Sequence, residues 1–417
     1  HFDEFNDVAD HCTVCHRCLK PCPVDIDFGD VSVAMRNFLR KQEKKRFSPG
    51  TWTAITYLNL KDPATIKLMR FGMMDFGFKA QRLANKAAKA LGLVQETRAH
   101  PPVSLGAPTV KTQIIHFLNR PMPGNLPKRT SRALLDIEDD KVIPVIRNPR
   151  KTTEESDAVF YFPGCGSERL FSQVGLATQA MLYEVGATTV LPPGYLCCGY
   201  PQTASGDEDK GQKITTDNRV LFHRVANTLN YLDIKTVIVS CGTCMDQLQK
   251  YQFEKIFPGC RLLDIHEYLM EKGVKLEGVE GTRYMYHDPC HTPMKAYAPL
   301  AVTKALMGQE VPLTDRCCGD AGSFAYSRPD IATQVKFRKQ EEIESGAAKL
   351  RADGFKGDVK ILTSCPACLQ GLSRYDDDAG TKADYIVVEL AKHLLGENWM
   401  AEYVGKANTG GIERVLL

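Results

Sequence analysis

The chain has 417 residues, 43% of them hydrophobic and 25% charged, with a formal net charge of +3 at pH 7. This is the composition of a soluble globular protein with room for about three domains. Near-neutral charge gives no argument for a nucleic-acid partner and none is expected, and no stretch reaches the ~18 apolar residues of a membrane span.

No signal peptide opens the sequence. It starts at His1 without a methionine, as expected of a processed or partial chain whose natural N-terminus lies upstream. The first feature is the run C-x2-C-x2-C-x3-C-P, formed by Cys12, Cys15, Cys18, Cys22 and Pro23. That spacing holds a 4Fe-4S cluster of the ferredoxin type. In two-cluster ferredoxins the fourth cysteine serves the other cluster. Only one run is present here, so Cys22 either closes the local cluster or serves one completed upstream or by a partner chain. His16, Arg17 and Lys20 lie between these cysteines, as solvated groups or as a cationic fringe that eases reduction.

Asp30 is the expected N-cap of a helix through Val31, Val33, Met35, Phe38 and Leu39. Residues 50–98 read as amphipathic helices, with Ile66, Met69, Phe71, Met73, Phe76 and Phe78 set among Lys67, Arg70, Lys79, Arg82, Lys86 and Lys89. The plain reading is a helical cap over the cluster with solvated basic faces. The sharper one is a membrane-surface or quinone-side contact, for which the basic excess is the only support. Residues 1–98 thus form a mainly α-helical ferredoxin-type domain. Residues 99–157 carry eight prolines and read as an extended connector.

From residue 158 the chain repeats itself. AVFYFPGC, LCCGYPQTASGD and TVIVSCGTCMDQL answer to TRYMYHDPC, RCCGDAGSFAYS and VKILTSCPACLQGL. Two similar domains, 158–280 and 281–417, are expected to face each other across a pseudo-twofold axis. The interval Cys165–Cys197 is longer than Cys290–Cys317, so at least one loop differs. Val159–Phe162, Thr236–Ser240, Tyr284–Tyr286 and Val359–Thr363 read as buried strands; Ser172–Val185 and Asp209–Leu232 have helical spacing. This alternation predicts an α/β fold with parallel sheets flanked by helices.

Each copy carries five cysteines: Cys165, Cys197, Cys198, Cys241 and Cys244, then Cys290, Cys317, Cys318, Cys365 and Cys368. Cys165, Cys241, Cys290 and Cys365 follow directly on predicted strands, where open α/β sheets bind ligands. Cys244 and Cys368 fall near the next helix N-terminus, whose partial positive charge favours thiolate. Neighbouring glycines let backbone approach a metal. Disulfides fit poorly with an odd count of fifteen cysteines and with adjacent pairs. A four-cysteine zinc site leaves the CC pairs and the ferredoxin run unused. Cys260 is a small core residue. His287 and His291 flank Cys290 and read as outer hydrogen-bond donors or surface groups; His223 and His266 read as structural. No glycine-rich motif for flavin, nicotinamide or ATP is present.

One cysteine, then CCG, then CxxC, with YFPGC, CCGYP and YHDPCH, resembles the CCG-domain family. That family includes a subunit of heterodisulfide reductase and iron–sulfur subunits of glycolate oxidase, glycerol-3-phosphate dehydrogenase and lactate-utilisation enzymes. The segment DHCTVCHRCLKPCPVDIDFGDV resembles the iron–sulfur region of bacterial FAD-linked D-lactate and D-2-hydroxyglutarate dehydrogenases. The resemblance implies two noncubane 4Fe-4S clusters, one on each five-cysteine set. It also implies an oxidoreductase with FAD in an upstream domain or partner, and a flavin-containing dehydrogenase as donor. The acceptor would be a quinone, cytochrome or ferredoxin. The setting would be cytoplasmic or peripheral on the inner membrane, with a homo-oligomer allowed. The rival is a heterodisulfide-reductase-like enzyme that cleaves a disulfide at a CCG cluster. The single ferredoxin run and the shorter interval after Cys290 depart from the family pattern.

Overall fold

The computed structural model describes residues 2–94, 109–320 and 324–417. The N-terminal part is helical: Phe2–Asp10, Phe28–Lys41, Pro49–Asn59, Pro63–Arg70 and Phe78–Ala90, with a π-helical turn at Phe71–Gly77. The cap of the second helix is Asp27, not Asp30. The backbone is extended at Asp27, whose carboxylate accepts from the Gly29 N–H at 2.7 Å, while Asp30 already lies in the first turn. Nor are the basic residues all solvated. Arg70 is buried and donates to the carbonyls of Pro127, Arg169 and Leu170, since buried loop carbonyls require a donor. Residues 95–98 of the expected helical segment lie outside the described residues.

The stretch expected as a connector is folded over much of its described length. It contains the helices Val110–Leu118 and Ser131–Leu135, capped by Thr109 and Thr130, and the strand β1 (Val142–Ile146). The remaining strands are β2 (Ala158–Phe162), β3 (Thr188–Val190), β4 (Ile234–Val239), β5 (Arg261–Asp264), β6 (Thr282–His287), β7 (Leu313–Thr314), β8 (Asp358–Thr363), β9 (Lys382–Tyr385) and β10 (Ile412–Leu416). They build two sheets, ordered β10-β1-β3-β2-β4-β5 and β7-β6-β8-β9. The strands β3-β2-β4-β5 are parallel, as are all four of the second sheet. The two parallel orders match strand for strand, so the sequence repeat is a structural repeat and the α/β expectation holds.

The first sheet carries an extra edge. β1 runs antiparallel to β3, and β10 antiparallel to β1. The chain end, expected within the second domain, therefore completes the first sheet. The longer interval after Cys165 is explained by the helix that follows it, Ser172–Glu184 with 13 residues, against Pro299–Met307 with 9.

Strand alternation sorts the core. Val159 and Tyr161 of β2, with Tyr284 and Tyr286 of β6, enter one apolar cluster shared by both repeats, together with Tyr268 and Tyr385. Phe160 and Phe162 face a second cluster with Phe222 and Phe253, and Met285 a third with Ile343 and Ile361. The shared cluster holds the two repeats back to back and fixes how their thiols meet.

Candidate metal centre

The cysteines collect beyond the carboxyl ends of the parallel strands. Cys165 and Cys290 follow β2 and β6; Cys241 and Cys365 follow β4 and β8. Cys241 and Cys365 are extended N-cap residues of the short helices Gly242–Leu248 and Pro366–Leu372, which place Cys244 and Cys368 in their first turns. Backbone at Gly164 comes so close that a Cβ there would stand 2.6 Å from the Cys244 sulfur, and its φ of +66° suits glycine.

All fifteen cysteines are free thiols. Eleven lie as neighbours in one file, two pairs of which stand within hydrogen-bonding distance. Within the first set it runs Cys165, Cys197, Cys198, Cys244, Cys241. Cys241 then meets Cys365 of the second set, and the file continues through Cys368, Cys318, Cys317 and Cys290 to Cys15 of the ferredoxin run. The sulfurs of Cys165 and Cys197 are 4.0 Å apart, and those of Cys318 and Cys368 3.5 Å.

Along this file protons are shared unequally. Hydrogen bonds from Cys197 and Cys244 bring the Cys198 thiol down to about 6. The bond from Cys290 does the same for Cys15, also to about 6. Bonds from Cys244 and Cys365 hold Cys241 well below the usual thiol range, and bonds from Cys317 and Cys368 hold Cys318 there. Their partners move the other way. The contact with Cys197 and then burial push Cys165 well up, and the bonds to Cys198 and Cys241 do so for Cys244.

In the ferredoxin run the N–H groups of Val14, Ile26 and Phe28 donate to the sulfurs of Cys12, Cys22 and Cys18 at 3.3, 3.3 and 3.2 Å. Val14 and His16 sit at φ near +55°, a strained region for side-chain-bearing residues. Contacts to other elements hold them there. His16 Nδ1 lies 2.7 Å from Asp27 Oδ2, and the Arg17 guanidinium donates to the carbonyls of Asp288 and Asp315 in the second repeat. Cys15 is thereby carried to Cys290.

The histidines divide. His266 is wholly buried and structural: Nδ1 meets Asp264 at 2.6 Å and Nε2 accepts from the Val387 N–H at 3.2 Å. His223 lies half-buried on the helix Glu208–Thr228. His291 bridges all three thiol groups, with Asp246 Oδ2 at 2.5 Å, Tyr200 Oη at 2.9 Å and the Val14 carbonyl at 2.7 Å. His287 is fully buried, and a nitrogen of its ring lies with the sulfurs of Cys318 and Cys368 inside a 4.8 Å group. Cys260 is half-buried against the Phe160 cluster, where burial lifts its thiol to about 11.

Sequence reasoning missed two supports. Tyr251 and Tyr375 donate to the carbonyls of Cys198 and Cys318 at 2.9 and 3.1 Å. Each stands seven residues after the last cysteine of its set, a repeat signal that was available. Asn218 Nδ2 likewise holds the Cys197 carbonyl at 2.8 Å.

The donor set fits iron–sulfur chemistry. Soft thiols face one another without cystine formation, N–H groups point at sulfur, and glycine stands where a side chain would fill the cradle.

Residues 159–249 and 284–373 match the model of the CCG cysteine-rich domain, and residues 373–417 match a domain of unknown function, DUF3400. An uncharacterized iron-sulfur protein of Methanococcus maripaludis is 21% identical over 405 residues, 94% of this chain and 63% of that protein. A fumarate reductase (CoM/CoB) subunit of Methanothermobacter marburgensis is 28% identical over 216 residues, 50% of this chain and 40% of that protein. The probable glycolate oxidase iron-sulfur subunit of Bacillus subtilis is 22% identical over 417 residues, 92% of this chain and 81% of that protein. This chain spans about 40 to 63% of the length of the methanogen proteins. No solved structure matches it. The duplicated fold, its two five-thiol sets and these similarities identify a protein with two CCG cysteine-rich domains, homologous to iron–sulfur subunits of oxidoreductases.

Proposed function

We propose that this chain is the electron-transfer module of a flavin-linked 2-hydroxy-acid dehydrogenase. Cys12, Cys15, Cys18 and Cys22 hold one 4Fe-4S cluster, and each five-cysteine set holds another. A flavin outside this chain oxidises the hydroxy acid, and a quinone or other acceptor takes the electrons. Clusters bound at these thiols supply one-electron carriage. The observation that carries the reading is the file from Cys15 through the second set to the first, with a thiol of one pocket neighbouring a thiol of the next at Cys290 and at Cys241–Cys365. Such neighbours keep each pocket next to the following one. They also put the second set between the ferredoxin run and the first set. The chain's own residues position and insulate: Tyr251 and Tyr375 fix the CC pairs, Arg17 docks the ferredoxin loop, and the shared core excludes water. A relative named for glycolate oxidase supports the hydroxy-acid substrate class. Free thiols throughout suit a reducing, cytoplasmic setting. Among the described residues no helix is long and apolar enough to cross a membrane, so any membrane contact we propose is peripheral.

The disulfide-reductase reading needs a crevice for two sulfurs beside a CCG set. Gly242, next to Cys241, packs so tightly that a Cβ would stand 1.5 Å from the His291 carbonyl oxygen. That side of the junction has no room for a substrate. The test is anaerobic expression with the flavoprotein encoded beside it. Absorbance bleaching by a D-2-hydroxy acid, dependent on that partner, is expected. A colourless chain, or a brown one that the hydroxy acid and flavoprotein leave oxidised, overturns the reading.

A further inference from the structure

The two pockets are not equivalent at one position. Counting back from Cys165 and Cys290, Phe162 in the first repeat corresponds to His287 in the second. The sheet register agrees: Phe162 pairs with Val239, two residues before Cys241, and His287 pairs with Thr363, two before Cys365. Both side chains leave their strand on the same face, toward the thiols. Phe162 packs in the apolar cluster with Cys198, Cys241 and Cys244. His287 replaces that hydrocarbon with a ring nitrogen.

The ring is set for coordination. Nδ1 lies 3.2 Å from the Thr314 carbonyl oxygen, which only accepts, so Nδ1 carries the proton and Nε2 presents its lone pair. A metal-binding histidine is commonly fixed in this way by a carbonyl behind it. Nε2 has no hydrogen-bond partner although His287 is 0% exposed. A ring nitrogen of His287 lies in a 4.8 Å group with the sulfurs of Cys318 and Cys368, which are 3.5 Å apart, and Nδ1 is the one turned to Thr314. A tetrahedral metal with sulfur at about 2.3 Å and nitrogen at about 2.0 Å needs donors roughly 3.5–3.8 Å apart, so modest tightening completes the group.

We propose that His287 Nε2 is a direct nitrogen ligand of iron in the second pocket, making it a mixed cysteine–histidine site beside an all-cysteine first pocket. The bond forms from the neutral ring's lone pair, so no proton leaves the imidazole. The inference rests on the reading that this pocket holds iron and sulfide. A neutral nitrogen ligand adds no negative charge to the iron, and where it stands in for a thiolate it raises the potential of an iron–sulfur centre.

The test is pulsed EPR of the reduced, anaerobically purified chain grown with 15N-histidine, alongside iron and sulfide analysis. A strongly coupled histidine nitrogen is expected, and it should vanish in His287→Phe but persist in His291→Gln. A chain with full iron and sulfide but no strongly coupled histidine nitrogen overturns this inference and leaves the electron-transfer reading standing. Coupling that persists in His287→Phe also overturns it. Absence of iron overturns both. The wild-type measurement decides the matter even where His287→Phe does not fold.

Discussion

The two thiol pockets share strand order, CC pairs and tyrosine props, yet their surroundings differ in polarity. In the first, Phe162 and Val239 end the central strands; in the second, His287 and Thr363 do. Over the glycine after each CC pair, a helix offers Ile214 to Gly199 in the first pocket and Lys336 to Gly319 in the second. All five thiols of the first set are buried, whereas Cys290 and Cys317 of the second are half-exposed. Cations, polar donors and solvent stabilise added negative charge. The same scaffold therefore gives a dry pocket and a polar one, and the potentials of the proposed clusters would be set by what packs behind the thiols.

The largest expected effect tests whether the pockets are separate. Cys198→Ser and Cys318→Ser should each remove about four irons per chain and spare the other pocket, as iron and sulfide counts would register. Cys260→Ser should leave the count unchanged. If either pocket mutation emptied both, the file would be one shared site. Next comes Gly164→Ala, where backbone strain of about 1–2 kcal/mol is joined by collision with the Cys244 sulfur. It should lose iron from the first pocket alone. Gly354→Ala, with a φ of +83° and nothing within 4 Å of its Cβ, should lower the melting temperature with iron intact.

A smaller effect sharpens the polarity contrast. Burial brings the Lys336 ammonium down to about 7, with Arg374 adding to the shift. Lys336→Met should lower the potential of the second pocket by on the order of tens of millivolts, read by redox titration, with the first unmoved. The smallest effect is on pH. Cys165, Cys244, Cys365 and Cys368 are held up as thiols, so iron must displace their protons. Iron uptake at limiting iron should therefore rise from pH 6.5 to 8.5, by up to about tenfold per unit for each proton displaced. Uptake that falls with pH would reverse the protonation pattern assigned here.

Much of this was legible in the sequence because its signals are local. The strands after which cysteines fall are short β-branched or aromatic runs, and the repeat shows that whatever binds one set has a counterpart. What was hidden depends on distant pairing. β1 joins residue 142 to residue 416, and Pro144 within it argues against a central strand. The meeting of Cys241 with Cys365 follows from how the shared core sets the repeats together. Neither partner's neighbours in sequence encode it. Arg70 looked like a surface charge because nothing near it reveals the loop carbonyls it serves. Asp30 and Asp27 are both plausible caps by composition, and only the backbone angle at Asp27 chooses between them.

The return of β10 to β1 bears on any attempt to dissect this molecule. A gene shortened after the second CxxC would leave β1 as a bare edge, open to pairing with a neighbouring copy. The region matched by the domain of unknown function thus includes a clasp for a sheet whose other strands begin far back in the chain, at Val142. A first repeat cut from the chain without Ile412–Leu416 lacks the strand that covers the β1 edge of its sheet.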